Sequence, residues 1–189
     1  MTPMFVTALT GFFVFGGVGG MTADSLLKTE IREVPTYETY NVAMTAYNAV
    51  PEQTDSNPMM TASGAYSNPD LIAARSVDLK DELPFGTVIT ITRAATTTPN
   101  CGFGLVDDLI GLRVIGDSMH SRKHNQIDIL FDANDTVRAR GKQMNPALVL
   151  GFCKDIEISV VGHVDIAHMP KTQAELKMAI GLGALAVNR

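Results

Sequence analysis

Alternating apolar and polar side chains recur in short runs along the chain and predict β-strands rather than helices. Residues 127–131 are the clearest example, because bulky apolar side chains fall at every second position, the period at which successive side chains of a strand change faces. Residues 37–47 and 155–162 alternate in the same way, and residues 71–74, 87–92 and 112–116 are predicted as further strands, the first of them short and buried. Short strands separated by loops rich in turn residues favour a mainly β fold, a small β-barrel.

Helical signals are limited to two short stretches. Residues 133–142 are compatible with a short helix. Thr172 and Glu175 fit a capping box, and predict a C-terminal helix over residues 172–187. Between the first two strands, residues 48–70 form a long loop dense in Pro, Asn, Ser and Gly. Loops of that length in compact domains tend to be functional.

One carboxylate interrupts the most apolar strand. Asp128 lies between Ile127 and Ile129, although aspartate is among the residues least suited to strands. The pKa of a half-buried carboxyl rises toward neutrality, which is what a general acid or base requires. Asp128 is therefore the first candidate for catalysis, together with Asp117 at the start of the polar loop before the strand.

The overall composition indicates one folded domain with tails. The chain has 189 residues, 46% of them hydrophobic, and a net charge of −5. This hydrophobic content argues against disorder, and the lack of a basic stripe argues against binding to nucleic acid. Cys101 and Cys153 are too few for a disulfide framework. A single bridge in an exported protein and two reduced, buried thiols are both open.

The N-terminal residues differ from the rest of the chain. Residues 4–21 carry no charge and are rich in Phe, Val and Leu, which is typical of a signal peptide or a membrane anchor. A buried hairpin or helix is the alternative. We therefore predict export to the cell envelope, with membrane association through this segment if it is retained. The chain divides into residues 1–36, a barrel at 37–162 and a tail at 163–189.

Five short motifs occur in a fixed order through the predicted barrel. They are Thr45-Ala46-Tyr47, Thr61-Ala62-Ser63-Gly64, Leu83-Pro84-Phe85-Gly86-Thr87, Gly116-Asp117 and Gln126-Ile127-Asp128. In order and spacing they resemble the 3D (three-aspartate) domain, a double-psi β-barrel found in MltA-like peptidoglycan lytic transglycosylases. The resemblance covers about residues 40–162. Its most specific element is the step from Asp117 to Asp128, which matches the Asp-(x)10-Asp pattern of the family.

The resemblance implies a six-stranded double-psi β-barrel that cleaves the MurNAc–GlcNAc bond of peptidoglycan glycan strands without a cofactor. Asp128 matches the catalytic aspartate of the family, which protonates the glycosidic oxygen and then takes the proton of the sugar's C6 hydroxyl as a 1,6-anhydro ring closes. Asp117 is expected to raise the pKa of that aspartate or to orient it. Asp78 is the nearest candidate for the first of the three aspartates. Ser118-Met119-His120 stands where the family usually has Thr-Gly-Gly.

Four further residues are candidates for contact with the substrate. Glu52, Thr61 and Ser63 lie in the long loop, where they could bind glycan hydroxyl or acyl groups. Turn-forming and capping roles are the more common use of such residues in loops. Tyr47 could stack on a sugar ring or pack against the core, and the sequence leaves both open.

Two alternatives concern the chemistry of the site. The residues Asp117, His120, His124 and Asp128 are three, four and four positions apart. On a helix this spacing would align them as metal ligands, but the β-rich residues that follow argue against a helix, and solvated loop histidines are the simpler interpretation. The alternative to an enzyme is a non-catalytic barrel that binds wall glycan, as in expansin-like proteins. The paired aspartates favour the enzyme.

Overall fold

The computed structural model describes residues 37–54, 57–93 and 101–182. The apolar N-terminal segment, predicted to be a signal peptide or an anchor, lies outside these residues, as do residues 94–100 and 183–189. Within the described ranges, no helix combines the length and the hydrophobicity that are needed to cross a membrane.

Strands dominate the described part of the chain, as the alternation of apolar residues predicts. The strands are β1 (Thr39–Asn48), β2 (Ile72–Arg75), β3 (Thr87–Arg93), β4 (Arg113–Ser118), β5 (Gln126–Phe131), β6 (Val137–Ala139), β7 (Lys142–Met144) and β8 (Cys153–His163). The α-helices in the same residues are α1 (Asp107–Ile110), α2 (Pro146–Leu150) and α3 (Gln173–Ala179). All six predicted strands are confirmed, and their ends lie within two residues of the predicted ones.

Six of the strands close into a barrel in the order β1-β5-β2-β4-β3-β8, and β8 returns to β1. The pairs β1–β5 and β2–β4 are parallel, whereas the other neighbouring pairs are antiparallel. The parallel pairing of β1 with β5 sets Thr45 opposite Asp128, although the two residues are 83 positions apart in the chain. The fold is therefore mainly β, with a closed six-stranded barrel.

Side chains from all six barrel strands form one apolar core. Ile127, Ile129 and Phe131, which the alternation places on one face of β5, are all buried in it. They belong to one cluster with Met44 of β1, Ala73 of β2, Ile89 of β3, Ile115 of β4 and Ile156 of β8. Burying a side chain of this size contributes about 1.5–3 kcal/mol. The core therefore gives the polar side chains on the same strands a rigid support.

A second apolar cluster lies on the other face of β3 and β4, where the C-terminal helix covers it. Its buried members are Leu71, Val88, Leu112, Val114, Val164 and Leu176 of α3. The Thr172 hydroxyl accepts a hydrogen bond from the Glu175 amide, as predicted, but the Glu175 carboxylate bonds the amide of Lys171 instead of that of Thr172. The helix does not continue unbroken toward residue 187 as predicted, and residues 183–187 themselves lie outside the described residues. It ends at Ala179, and Gly181 follows with a φ of 75°, a left-handed conformation that terminates helices.

The helix predicted for residues 133–142 is also wrong. The segment contains β6, a two-residue turn and the start of β7, and the two strands form a hairpin in which Ala139 pairs with Lys142. The turn residues Arg140 and Gly141 have φ values of 51° and 76°. Two successive left-handed residues suit a tight hairpin turn and cannot continue a right-handed helix.

A buried arginine connects three backbone segments to the barrel wall. Arg113 of β4 is fully buried, and its guanidinium donates hydrogen bonds to the carbonyl oxygens of Pro69, Leu109, Ile110 and Leu130. Burial lowers the pKa of Arg113 to about 10, so the side chain is still protonated at neutral pH. A buried charge is tolerated where hydrogen bonds replace those of water. These carbonyls therefore hold the chain before β2, helix α1 and strand β5 together.

Cys101 and Cys153 are joined by a disulfide bond. The bond links the segment after β3 to the first residue of β8, across a sequence separation of 52. Cys153 is fully buried against the barrel core. Of the two alternatives that the sequence leaves open for the cysteines, the structure contains the bridged one.

Candidate active site

The two predicted catalytic aspartates line the same cleft. Asp128 lies on β5 and Asp117 near the end of β4, and both strands border β2 in the barrel. The cleft has a volume of about 490 Å³ and is also lined by Tyr47 of β1 and by His120 and Lys123 of the loop between β4 and β5. Acceptors on the strands and donors on the loop therefore face one space.

The carboxyl group of Asp128 is fixed by a chain of two hydrogen bonds. The Thr45 hydroxyl donates to Asp128 Oδ1 at 2.7 Å, and the Gln126 side-chain amide donates to the same hydroxyl oxygen at 2.7 Å. Because Gln126 occupies a lone pair of that oxygen, the single hydroxyl proton points to Asp128. Among the described residues Thr45 is the one donor to this carboxyl, and it binds Oδ1.

The environment of Asp128 makes it able both to hold and to release a proton near neutrality. Burial is the largest influence and raises its pKa, the hydrogen bond from Thr45 and the charge of Lys123 lower it, and the charge of Asp117 raises it. The net effect raises the pKa of Asp128 to about 6. A carboxyl in this range is protonated in a large fraction of molecules at mildly acidic pH, as a general acid must be.

Asp117 is held much more tightly than Asp128. Its Oδ1 accepts hydrogen bonds from the amides of Ala62 at 2.9 Å and Ser118 at 2.8 Å, and its Oδ2 accepts one from the Tyr47 hydroxyl at 2.9 Å. Burial, followed by the charge of Asp117, raises the pKa of Tyr47 above its usual value, so the hydroxyl stays a donor. With three donors around it, Asp117 is suited to position the wall of the cleft.

Two of the predicted substrate-binding residues shape the turn that reaches Asp117. The hydroxyl groups of Thr61 and Ser63 are 3.0 Å apart, and Thr61 also donates to the carbonyl oxygen of Ala65. The amide of Ser63 donates to the carbonyl oxygen of Gly116. Neither hydroxyl-bearing residue lines the cleft, whereas Ala62 between them does. Their side chains therefore build the turn that presents the Ala62 amide.

The other two predicted substrate-binding residues have different positions. Tyr47 lines the cleft and is mostly buried there, with its hydroxyl committed to Asp117. Glu52 is exposed and is not among the residues that line the cleft. The structure thus brings Tyr47 together with both aspartates and leaves Glu52 apart from them.

Asp78, the candidate for the first of three aspartates, lies outside the cleft. It belongs to a short 3₁₀ turn, Val77–Leu79, and its Oδ2 accepts the amide of Asn125 at 2.8 Å. Burial raises the pKa of Asp78, but hydrogen bonds from Ser76 and Asn125 outweigh this and lower it overall. An ionised Asp78 therefore holds the residue that precedes β5, and with it the end of the loop beside the cleft.

The helix on which the metal-binding alternative depends is absent. Strand β4 ends at Ser118 and β5 begins at Gln126, and the residues between them form a turn and loop. His124 lies 3.9 Å from Asp78, whereas His120 lines the cleft, so the two histidines do not converge. In the described ranges no three His, Cys, Asp or Glu side chains are grouped so that they could hold a metal ion.

Three polar residues that the structure brings to the site were not among the predicted site residues. Thr45 and Gln126 hold Asp128, and Lys123 lines the cleft beside it. Gln126 is two positions before Asp128 and therefore on the same face of β5. That spacing could have identified Gln126 as a site residue. For Thr45, the corresponding indication was its position two residues before Tyr47 on the same predicted strand.

No protein-family model matches the chain, and no curated protein matches it. The basis for assigning a function is therefore the chemistry of the cleft. The cleft combines one carboxyl group whose pKa is raised, a second carboxylate that accepts three hydrogen bonds, and two side chains with N–H donors, His120 and Lys123, on the neighbouring loop.

Proposed function

We propose that this protein is a peptidoglycan lytic transglycosylase, which cleaves the β-1,4 bond between MurNAc and GlcNAc and leaves a 1,6-anhydroMurNAc end. The observation that carries the proposal is the state of Asp128. It is half-buried in a cleft, one of its oxygens is held by Thr45, and its pKa is raised to about 6. These are the properties of a general acid that works at mildly acidic or neutral pH.

The proposed reaction needs a single acid/base. Protonated Asp128 donates its proton to the glycosidic oxygen, and the bond between that oxygen and C1 of MurNAc breaks to give an oxocarbenium-like transition state. The C6 hydroxyl of the same sugar then attacks C1 and passes its proton to the Asp128 carboxylate. The ring closes without water, and Asp128 returns to its protonated form. Glycoside hydrolases, in contrast, usually divide acid and base or nucleophile between two carboxylates.

The hydrogen bonds of Asp117 support a mechanism with one carboxylate. Its two oxygens already accept from Tyr47, Ala62 and Ser118. A carboxylate that is satisfied in this way is a poor nucleophile and a poor base, because attack or protonation would break existing bonds. Asp117 acts instead as a positioning residue, which fixes the wall of the cleft and adds a negative charge near Asp128.

The fold and the disulfide agree with this proposal. Two parallel pairs in a closed six-stranded barrel suit the double-psi topology that the sequence motifs imply, and we propose that topology here. The bond between Cys101 and Cys153 suits a protein that works in an oxidising compartment outside the cytoplasm. Both features favour a cell-envelope protein that acts on wall glycan.

The test is release of anhydro-muropeptides from purified sacculi, measured by mass spectrometry. The wild-type protein should release fragments with 1,6-anhydroMurNAc ends. Asp128→Asn, which keeps the size of the side chain but cannot donate the proton, should lower the rate by at least about a hundredfold. Asp155→Asn is the matched control, because Asp155 is an exposed carboxylate on β8 in a left-handed conformation that asparagine also accepts.

Three results would contradict the proposal or one part of it. Wild-type protein that binds sacculi and releases nothing would favour the non-catalytic glycan-binding barrel. Full activity of Asp128→Asn would instead leave the enzyme in place and remove Asp128 from the role of acid. Fragments with ordinary reducing ends would show hydrolysis and would rule out the ring closure.

A further inference from the structure

The loop between the two aspartates carries two side chains that the proposed mechanism does not use. His120 and Lys123 both line the cleft. The amide of Lys123 donates to the carbonyl oxygen of His120 at 2.9 Å, so the two residues begin and end one tight turn. The turn therefore holds both residues at the space that Asp128 and Asp117 also line.

Both side chains present donors to the cleft. Nδ1 of His120 accepts the amide of Arg122 at 3.2 Å, so in the neutral ring Nε2 carries the proton and is the donor. Lys123 has three N–H donors, and its ammonium forms no salt bridge with a carboxylate of the described residues. The cleft therefore has acceptors on its strands and two donors on its loop, and no carboxylate of the described residues lies within salt-bridge distance of the Lys123 ammonium.

We propose that His120 and Lys123 form a subsite for a carboxylate carried by the glycan; this inference rests on the lytic transglycosylase function proposed above. The negative charges of two aspartates would repel an anionic glycan from the cleft. A cation at the edge of the cleft offsets that repulsion if it lies next to the carboxylate of the bound glycan. An ammonium and an N–H from imidazole can bind the two oxygens of one carboxylate.

The carboxylate could belong to either of two parts of peptidoglycan. In glycan without peptides, the lactyl group of MurNAc ends in a free carboxylate. Where the stem peptide is attached, that carboxyl is an amide, and the carboxylates are those of the peptide. The chemistry recognised by Lys123 is the same in both cases, so the two sources must be separated by experiment.

The subsite can be tested by binding, independently of cleavage, with Asp128→Asn as the parent protein. The probes are the tetrasaccharide GlcNAc-MurNAc-GlcNAc-MurNAc, the same tetrasaccharide with its lactyl groups converted to carboxamides, and the tetrasaccharide with L-Ala-D-Glu attached. Calorimetry should show that one of the two carboxylate-bearing probes binds about tenfold more tightly than the carboxamide, which is the usual strength of one charge-assisted hydrogen bond. Tightest binding of the free tetrasaccharide identifies the lactyl carboxylate, and tightest binding of the peptide form identifies the stem peptide.

A matched pair of variants separates the subsite from general charge effects. Lys123→Met should bring the ratio between the preferred probe and the carboxamide close to one. Arg122→Met removes the same charge from the same turn, but Arg122 does not line the cleft, so this variant should keep the ratio. The preference of the parent protein should also weaken as salt is added.

The outcomes distinguish this inference from the proposed activity. The subsite would be overturned if the parent protein bound all three probes equally, or if the preference for a carboxylate survived in Lys123→Met. In either case, release of anhydro ends by the wild type would still support the proposed activity. A carboxylate preference in a protein that releases no such ends would support the subsite and overturn the proposed activity.

Discussion

Thr45 and Asp128 face each other across a parallel strand pair, and the Thr45 hydroxyl donates a 2.7 Å hydrogen bond to Asp128 Oδ1. The bond restricts the carboxyl to one orientation and limits the rise in its pKa that burial causes. Gln126 fixes the direction of that bond by occupying the hydroxyl oxygen. Thr45 thus fixes the orientation of the Asp128 carboxyl and holds its pKa below the value that burial alone would give.

The pH dependence of cleavage should follow the protonation of Asp128. Because the reaction starts from the protonated carboxyl and the pKa of Asp128 is raised to about 6, kcat/KM should fall about tenfold for each pH unit above about 6. Initial rates on purified glycan strands between pH 5 and pH 8 measure this directly.

Variants of the loop between β4 and β5 test whether Asp128 is the group that sets this pH dependence. The charge of Lys123 lowers the pKa of Asp128, so Lys123→Met should move the falling limb to higher pH, whereas Arg122→Met should leave it in place. A rate that is constant from pH 5 to pH 8 would exclude Asp128 as the acid.

The raised pKa of Asp128 also predicts a gain in stability when the charge is removed. The pKa is about 6 in the folded protein and about 4 in an unfolded chain. Between these values the folded state binds more protons, so the wild type loses stability as the pH rises from 4 through 6. At pH 7.5 Asp128→Asn should therefore have a free energy of unfolding about 1–3 kcal/mol above that of wild type.

The gain should disappear at pH 4, where the folded carboxyl is protonated and resembles the neutral amide. Urea titrations of wild type and Asp128→Asn at the two pH values measure the difference. Asp155→Asn is the control and should give the same difference from wild type at both. A variant that is no more stable than wild type at pH 7.5 would contradict the proposed burial of an ionised Asp128.

Substitutions of Asp117 should lower the stability of the protein more than they lower its cleavage rate, as expected for a positioning residue. Asp117→Ala leaves the Tyr47 hydroxyl and the amides of Ala62 and Ser118 without their acceptor, so we expect a loss of about 2–3 kcal/mol in unfolding free energy. Asp117→Asn keeps an oxygen for the two amides and should lose about 1 kcal/mol, with most of the cleavage rate retained. Urea unfolding and the muropeptide assay, run on both variants, test the difference. An Asp117→Asn protein as inactive as Asp128→Asn would make Asp117 a second catalytic carboxylate.

Reduction of the disulfide should weaken the barrel without altering the cleft. The bond between Cys101 and Cys153 spans 52 positions, and a bridge over a loop of that length usually contributes about 2–4 kcal/mol, largely by restricting the unfolded chain. We expect dithiothreitol to lower the midpoint of urea unfolding for wild type. In the double variant Cys101→Ser/Cys153→Ser no bridge can form, so the midpoint of urea unfolding should be the same with and without the reductant. An identical midpoint for wild type with and without reductant would contradict a structural bridge.

The strands could be predicted because their alternation is a local property. In β1, β5 and β8 the bulky apolar side chains recur at every second position, and burial on one face follows from that period. The short strand β2 is buried at all four positions, as its run of apolar residues indicates. The hairpin at residues 137–144 could not be recognised in the same way, because it depends on Arg140 in a left-handed conformation. An arginine at such a position is uncommon, and composition alone favours a helix there.

The candidate site could be predicted in part for a related reason. Asp128 stands out because a carboxylate is unusual in an apolar strand, and its motif includes Gln126. Its partner Thr45 became evident only from the parallel pairing of β1 with β5, which no local pattern specifies. Thr61 and Ser63 carry the residue types of a binding site, but their hydroxyl groups are used to build a turn.

The distances along the chain between paired residues have a consequence for folding. The hydrogen bond from Thr45 to Asp128 spans 83 positions, and that from Tyr47 to Asp117 spans 70. Contacts of such long range require large loops to close before they return any stabilisation, and folds that depend on them assemble slowly. The cleft therefore exists only once the barrel has closed, and the return of cleavage activity during refolding would report completion of the whole domain.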